Sequence, residues 1–100
     1  MPGSNGGTQS ITNQTDVAIG VSGKSVRVKC AHLLSGGTAS TVTLRNGTSA
    51  SGTAYVQLDG TISKGITTFF GPDGIYFPGG CFADVDANTV ALTIAYEQNQ

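Results

Sequence analysis

The sequence predicts an all-β domain: an antiparallel β-sandwich, jelly-roll-like or Ig-like, of seven to eight short strands. Three observations carry this reading. Apolar and polar residues alternate over short runs, as in Thr41-Val42-Thr43-Leu44 and Ala54-Tyr55-Val56-Gln57-Leu58, the pattern of strands with one buried face. Turn-forming clusters rich in Gly, Asn and Ser separate those runs. No segment keeps a helical period over a useful length.

The chain has 100 residues, the size of one domain with a core of its own. Residues 1–14 form an N-terminal arm, flexible or extended, and residues 15–100 form the single sandwich domain. Met1–Gly7 hold nothing to bury, and Thr8–Gln14 carry Ile11 as their one apolar residue, which suits an edge strand or an arm laid on a neighbour. Val17, Ile19 and Val21 give the next strand its buried face. Ser22-Gly23-Lys24 turns the chain into the longest strand, Ser25–Leu34, with Val26, Val28 and Cys30 inward and Arg27 and Lys29 outward.

Ser35-Gly36-Gly37 leads to the central hairpin. Val42 and Leu44 face in on one strand, and Ala54, Val56 and Leu58 on the other. The linker Asn46–Gly52 turns between them, Asn-Gly readily adopting positive φ. The polar stretch Thr61–Gly65 then crosses between sheets to Ile66–Phe70. Gly71-Pro72-Asp73-Gly74 is a turn with Pro at its second position and Gly at its fourth. Ile75–Phe77 and Cys81–Asp86 are short strands, the second with Cys81, Ala83 and Val85 inward. Val90–Glu97 closes the domain, with Val90, Leu92, Ile94 and Tyr96 on its buried face.

A net charge of −1 gives no field to attract nucleic acid or an acidic membrane. Lys24, Arg27 and Lys29 lie close together, yet three charges are no basic stripe. No apolar run reaches the length of a membrane helix, and the opening residues lack a secretory pattern. The expectation is therefore folding in a reducing cytoplasm, with Cys30 and Cys81 as free, buried thiols. If bridged, they would close a long loop worth up to ~4 kcal/mol. In that compartment the acceptor patterns Asn13-Gln14-Thr15 and Asn46-Gly47-Thr48 are chance matches.

Residues that carry chemistry are sparse. His32 falls in phase with Val26, Val28 and Cys30 and has no nucleophile motif beside it, so it reads as a structural histidine. Cys30, His32 and Cys81 lack the spacing of a structural zinc site. Asp84 and Asp86 share one strand face, as in a cation site or a glycosidase pair. Arg27 and Lys29 repeat that spacing with opposite sign, and cross-strand ion pairs would result if the two strands were neighbours. No catalytic residue, metal ligand or cofactor is expected, and the chain reads as a non-enzyme.

Aromatics carry the remaining signal. Phe69, Phe70, Tyr76, Phe77 and Phe82 crowd into a short C-terminal span. Neighbouring residues of a regular strand point to opposite faces, so one of Phe69 and Phe70, and one of Tyr76 and Phe77, must face out. The outer ring either lies under the Thr61–Gly65 crossing or meets a partner. The expected partner interface is Thr8, Gln9, Ser10, Ile11 and Thr12 with Phe69, Phe70, Tyr76 and Phe82.

The stretch Thr43-Leu44-Arg45-Asn46-Gly47-Thr48-Ser49-Ala50-Ser51-Gly52-Thr53, then Gly74-Ile75-Tyr76-Phe77-Pro78-Gly79-Gly80-Cys81-Phe82-Ala83-Asp84-Val85 and a final strand rich in Val, Thr and Ile, resembles small virion structural proteins of tailed bacteriophages, those of marine and cyanobacterial phages above all. The resemblance spans Val26–Glu97. It implies a β-sandwich present in many copies on a virion assembled in the host cytoplasm, as a capsid decoration (cement) protein. The implied partners are the major capsid protein or other virion proteins and further copies of the chain as a homo-oligomer, with no nucleic acid and no membrane. The alternative is a receptor- or glycan-binding module of a tail or fibre.

Overall fold

The computed structural model describes residues 4–12, 16–86 and 88–99, residues 4–12 and Asn99 by backbone alone. Its strands are β1 (Ser4–Thr12), β2 (Val17–Ile19), β3 (Val26–Ser35), β4 (Thr41–Asn46), β5 (Thr53–Asp59), β6 (Gly65–Phe69), β7 (Ile75–Phe77), β8 (Cys81–Val85) and β9 (Thr89–Asn99). No helix forms among the described residues.

The pairing is nested. β4 pairs β5, β3 pairs β6 and β7, β2 pairs β8, and β1 pairs β9, always antiparallel. The chain is thus one long hairpin folded over on itself. It wraps because β9 also pairs β3 and β8 also pairs β4. One sheet then reads β1-β9-β3-β6, with β7 beside β3, and the other reads β2-β8-β4-β5. This nesting is the jelly-roll order, so the jelly roll is the one of the two expected types that forms. The Thr61–Lys64 crossing carries the chain from one sheet to the other, between β5 and β6, where a change of sheet was expected.

The core lies between the sheets. Val26, Val28, Ala31 and Leu33 of β3 and Leu92 and Ile94 of β9 meet Val42, Leu44, Cys81 and Ala83 of the opposing sheet, all at most 2% exposed. At the β5/β7 side, Tyr55 stacks on the fully buried Phe77, ring centroids 5.1 Å apart. That contact joins one sheet to the other where the sandwich is open.

Three bulges shift the expected phases. In the β3–β9 ladder Val28 opposes Tyr96 and Cys30 opposes Ala95, leaving Lys29 as an extra residue. A bulge of this kind moves every later side chain to the other face. Ala31 and Leu33 are therefore buried, Cys30 is half-buried and His32 is exposed, against the inward placement expected for Cys30 and His32. A second bulge sets Val90 aside between Ala91 and Thr89. Thr89 is buried and Val90 is 45% exposed, not inward as expected. The third inserts Tyr55 between Ala54 and Val56. It leaves Ala54 exposed, where it was expected inward, while Val56, on the near side of the bulge, packs half-buried against the core as expected.

Two further expectations are corrected. The second strand stops at Ile19, and Gly20 takes φ +70°, so Val21 lies in the turn and is 52% exposed. Ser4–Gly7, expected to belong to a flexible arm with nothing to bury, open β1 opposite Asn99, Gln98, Glu97 and Tyr96. The arm is extended, and in this chain it completes the chain's own sheet.

Candidate assembly surface

The expected interface residues fall on three separate surfaces. Thr8, Gln9, Ser10, Ile11 and Thr12 belong to β1, at one edge of the five-stranded sheet, opposite Ala95, Ile94, Thr93, Leu92 and Ala91. Phe69 and Tyr76 lie on the outer face of the same sheet at its other edge, opposite Cys30 and Arg27. Phe82 lies on the outer face of the four-stranded sheet, between Ala18 and Arg45, and is half-buried. Phe70 packs against the core from the rim.

The two aromatic pairs divide as strand geometry demands. Phe69 is 70% exposed, the largest value among the large apolar side chains described, and Phe70 turns inward. Tyr76 faces out and Phe77 is fully buried. The Thr61–Gly65 crossing leaves the Phe69 ring open. Tyr76 is better covered: the Arg27 guanidinium sits 5.0 Å from its ring centroid, a cation–π contact. Arg27 also donates to Asp73 O at 3.2 Å, and Lys29 Nζ to Pro72 O at 2.6 Å. These two cations hold the Gly71–Gly74 turn against the sheet.

The polar groups singled out by the sequence are taken up by the fold. Asp84 accepts from Arg45 Nε at 3.1 Å. Asp86 accepts from the backbone N–H of Thr41 at 3.3 Å and of Asn88 at 2.6 Å. Their cations are not Arg27 and Lys29, which lie on β3 in the other sheet, where Lys29 approaches Glu97 at 3.7 Å. His32 Nδ1 and Thr67 Oγ1 share a hydrogen bond of 2.7 Å on the outer face. Among the described residues no group of three His, Cys, Asp or Glu could hold a metal ion. Burial pushes the Cys81 thiol up to about 12, so at neutral pH it is an inert apolar filler.

The topology adds what a residue-by-residue reading gave only for the N-terminal segment, namely which strands are edges. They are β1 on one side and β6, continued by the three-residue β7, on the other side of one sheet, and β2 and β5 in the other. Edge strands are ordinarily guarded by Lys, Pro, bulges or brevity. β2 has three residues, and β5 has the Tyr55 bulge. β1 and β6 carry no charged residue and no Pro. The five-stranded sheet is therefore unguarded at both ends.

No protein-family model and no curated protein sequence matches the chain. Among solved structures the chain is similar to a subunit of Bacillus endospore appendages, described as a novel family of disulfide-linked pili. The match covers 99% of this chain and 90% of that one, with a TM-score of 0.56 and 11% identity. At that identity the likeness is one of fold, and the fold is a β-sandwich.

Proposed function

We propose that this chain is a structural subunit that acts in many copies on an assembled particle, as a decoration protein that binds and strengthens a phage shell. The observation that carries this reading is the pair of unguarded edges on the five-stranded sheet, with Phe69 open beside one of them. An isolated protein with such edges risks uncontrolled pairing; a subunit that spends its life in a lattice uses them. The near-neutral surface, rich in Thr, Ser and Gly, fits the same life among neighbours. The phage setting rests on the resemblance of Val26–Glu97 to virion proteins. A β-sandwich subunit also occurs in the pilus-type appendage that the fold resembles. What the two settings have in common is a polymeric protein surface.

The glycan-binding alternative has less to stand on. A sugar stacks on an open aromatic face; Phe69 offers one, but the two most exposed tyrosines have a face engaged, Tyr76 by Arg27 and Tyr55 by Phe77. The test is to mix the purified chain with undecorated shells and sediment them. Binding that saturates at a fixed number of copies per shell protein, and raises the temperature at which the shells open, is the expected result. A chain that stays in the supernatant at every concentration contradicts the proposal.

A further inference from the structure

We propose that copies of this chain join side by side, β1 of one copy extending the five-stranded sheet of the next along β6. The inference rests on the reading of the chain as a multi-copy subunit and adds how the copies meet. Its first support is strand direction. β1 is antiparallel to β9, β9 to β3, and β3 to β6. The two edges of this sheet therefore run in opposite directions. A copy moved sideways without rotation brings its β1 against β6 in the antiparallel sense, which pairs well. The same holds below, where β2 and β5 also run oppositely, so neither sheet opposes the join.

The second support is the backbone of β6. Phe70 N–H donates to Lys29 O at 3.0 Å, and Ser35 N–H to Lys64 O at 3.1 Å. Antiparallel bonding alternates along a ladder, so with this register the bonds to β3 come from Ile66 and Thr68. The N–H and C=O groups of Gly65, Thr67 and Phe69 point away from β3, along the open edge. β1 offers a complementary row, since its nine-residue register on β9 runs without a bulge and alternate residues direct their backbone groups outward. Neither strand carries the charge or proline that would repel a partner.

The third support is Phe69. Its ring lies at the β6 rim beside Cys30 and is 70% exposed. A strand laid along β6 places a cross-strand side chain next to it, which covers the most open aromatic of the described surface. Such a contact uses different patches on the two copies. It leaves one free edge at each end and builds a ring or an open row instead of a closed pair.

The experiment is sedimentation velocity of the full-length chain at rising concentration, read with amide hydrogen exchange at Gly65, Thr67 and Phe69. The expected result is a size distribution that grows through successive multiples, with those three amides slowing as it grows. Phe69→Lys places a charge at an exposed position, and Thr67→Pro removes an N–H that β3 does not use. Each should raise the concentration for half-assembly by about tenfold or more. Phe69→Lys decides alone if Thr67→Pro disturbs folding. A monomer at every concentration, a dimer that grows no further, or growth unchanged by Phe69→Lys overturns the join. The multi-copy reading survives that failure if the chain still sediments with shells, and falls with it if the chain does not.

Discussion

At the residue scale, burial in this sandwich is decided by bulges that alternation does not reveal. Leu92 is fully buried while Val90, two residues earlier and of similar chemistry, is 45% exposed. Leu92→Ala should cost about 2 to 5 kcal/mol, the range for deleting buried methyl groups, and Val90→Ala well under about 1 kcal/mol. Chemical denaturation of both variants checks the contrast; equal losses would mean that the bulge at Val90 is misplaced. The two cysteines make a second contrast. Cys81 is 1% exposed, and Cys30 is half-buried on the outer face. In the native protein a thiol reagent should label Cys30 far faster than Cys81, and both should react once unfolded. Because folding holds the Cys81 thiol up to about 12, the unfolded chain gives up this proton first as pH rises. Above the ordinary thiol range stability should therefore fall by about 1.4 kcal/mol per pH unit. Cys81→Ala should flatten that slope, and an unchanged slope would assign it to other groups.

At the scale of elements, the strands were legible because each is short, alternating and closed by turn residues. Their phases were less so. Cys30 and His32 follow Val26 and Val28 at regular spacing, and nothing in their side chains marks Lys29 as the extra residue; the bulge lies where the partner on the other side of β3 changes from β7 to β6. Asp84 and Asp86 were found as a pair, yet their true partners depend on strand order, which local pattern does not contain. Gln98 was missed outright, since a lone Gln past the last alternating run looks like a solvated tail. It is 4% exposed. Its Oε1 accepts from Val21 N–H at 2.8 Å, and its Nε2 donates to the carbonyls of Val21 and Lys24 at 3.0 and 3.2 Å. One side chain thus fastens the β2–β3 turn to β9. Gln98→Ala removes three part-buried hydrogen bonds that hold the turn to β9 and should cost about 1 to 3 kcal/mol. In amide exchange the loss should concentrate at Val21–Lys24. A melting temperature that does not move would show that water replaces the clamp.

At the scale of the whole molecule, the nested hairpin explains why the N-terminal segment has a place at all. β1 adds little apolar surface, but as the outer partner of β9 it completes the wrapping that begins at the β4–β5 hairpin. Sequence composition alone made Thr8–Thr12 a good pairing segment without saying with what. The fold supplies one partner within the chain and leaves the other side of the strand open. The proposed function rests on that remaining edge and its counterpart β6 more than on any side-chain constellation. The central claim, a structural subunit used in many copies, is tested most directly by stoichiometry. Quantitative mass spectrometry of purified particles, calibrated with isotope-labelled peptides of this chain, counts its copies against the major shell protein. The account predicts a fixed ratio of small whole numbers, with many copies per particle. A few copies per particle, or an amount that washes away with soluble protein, would contradict it.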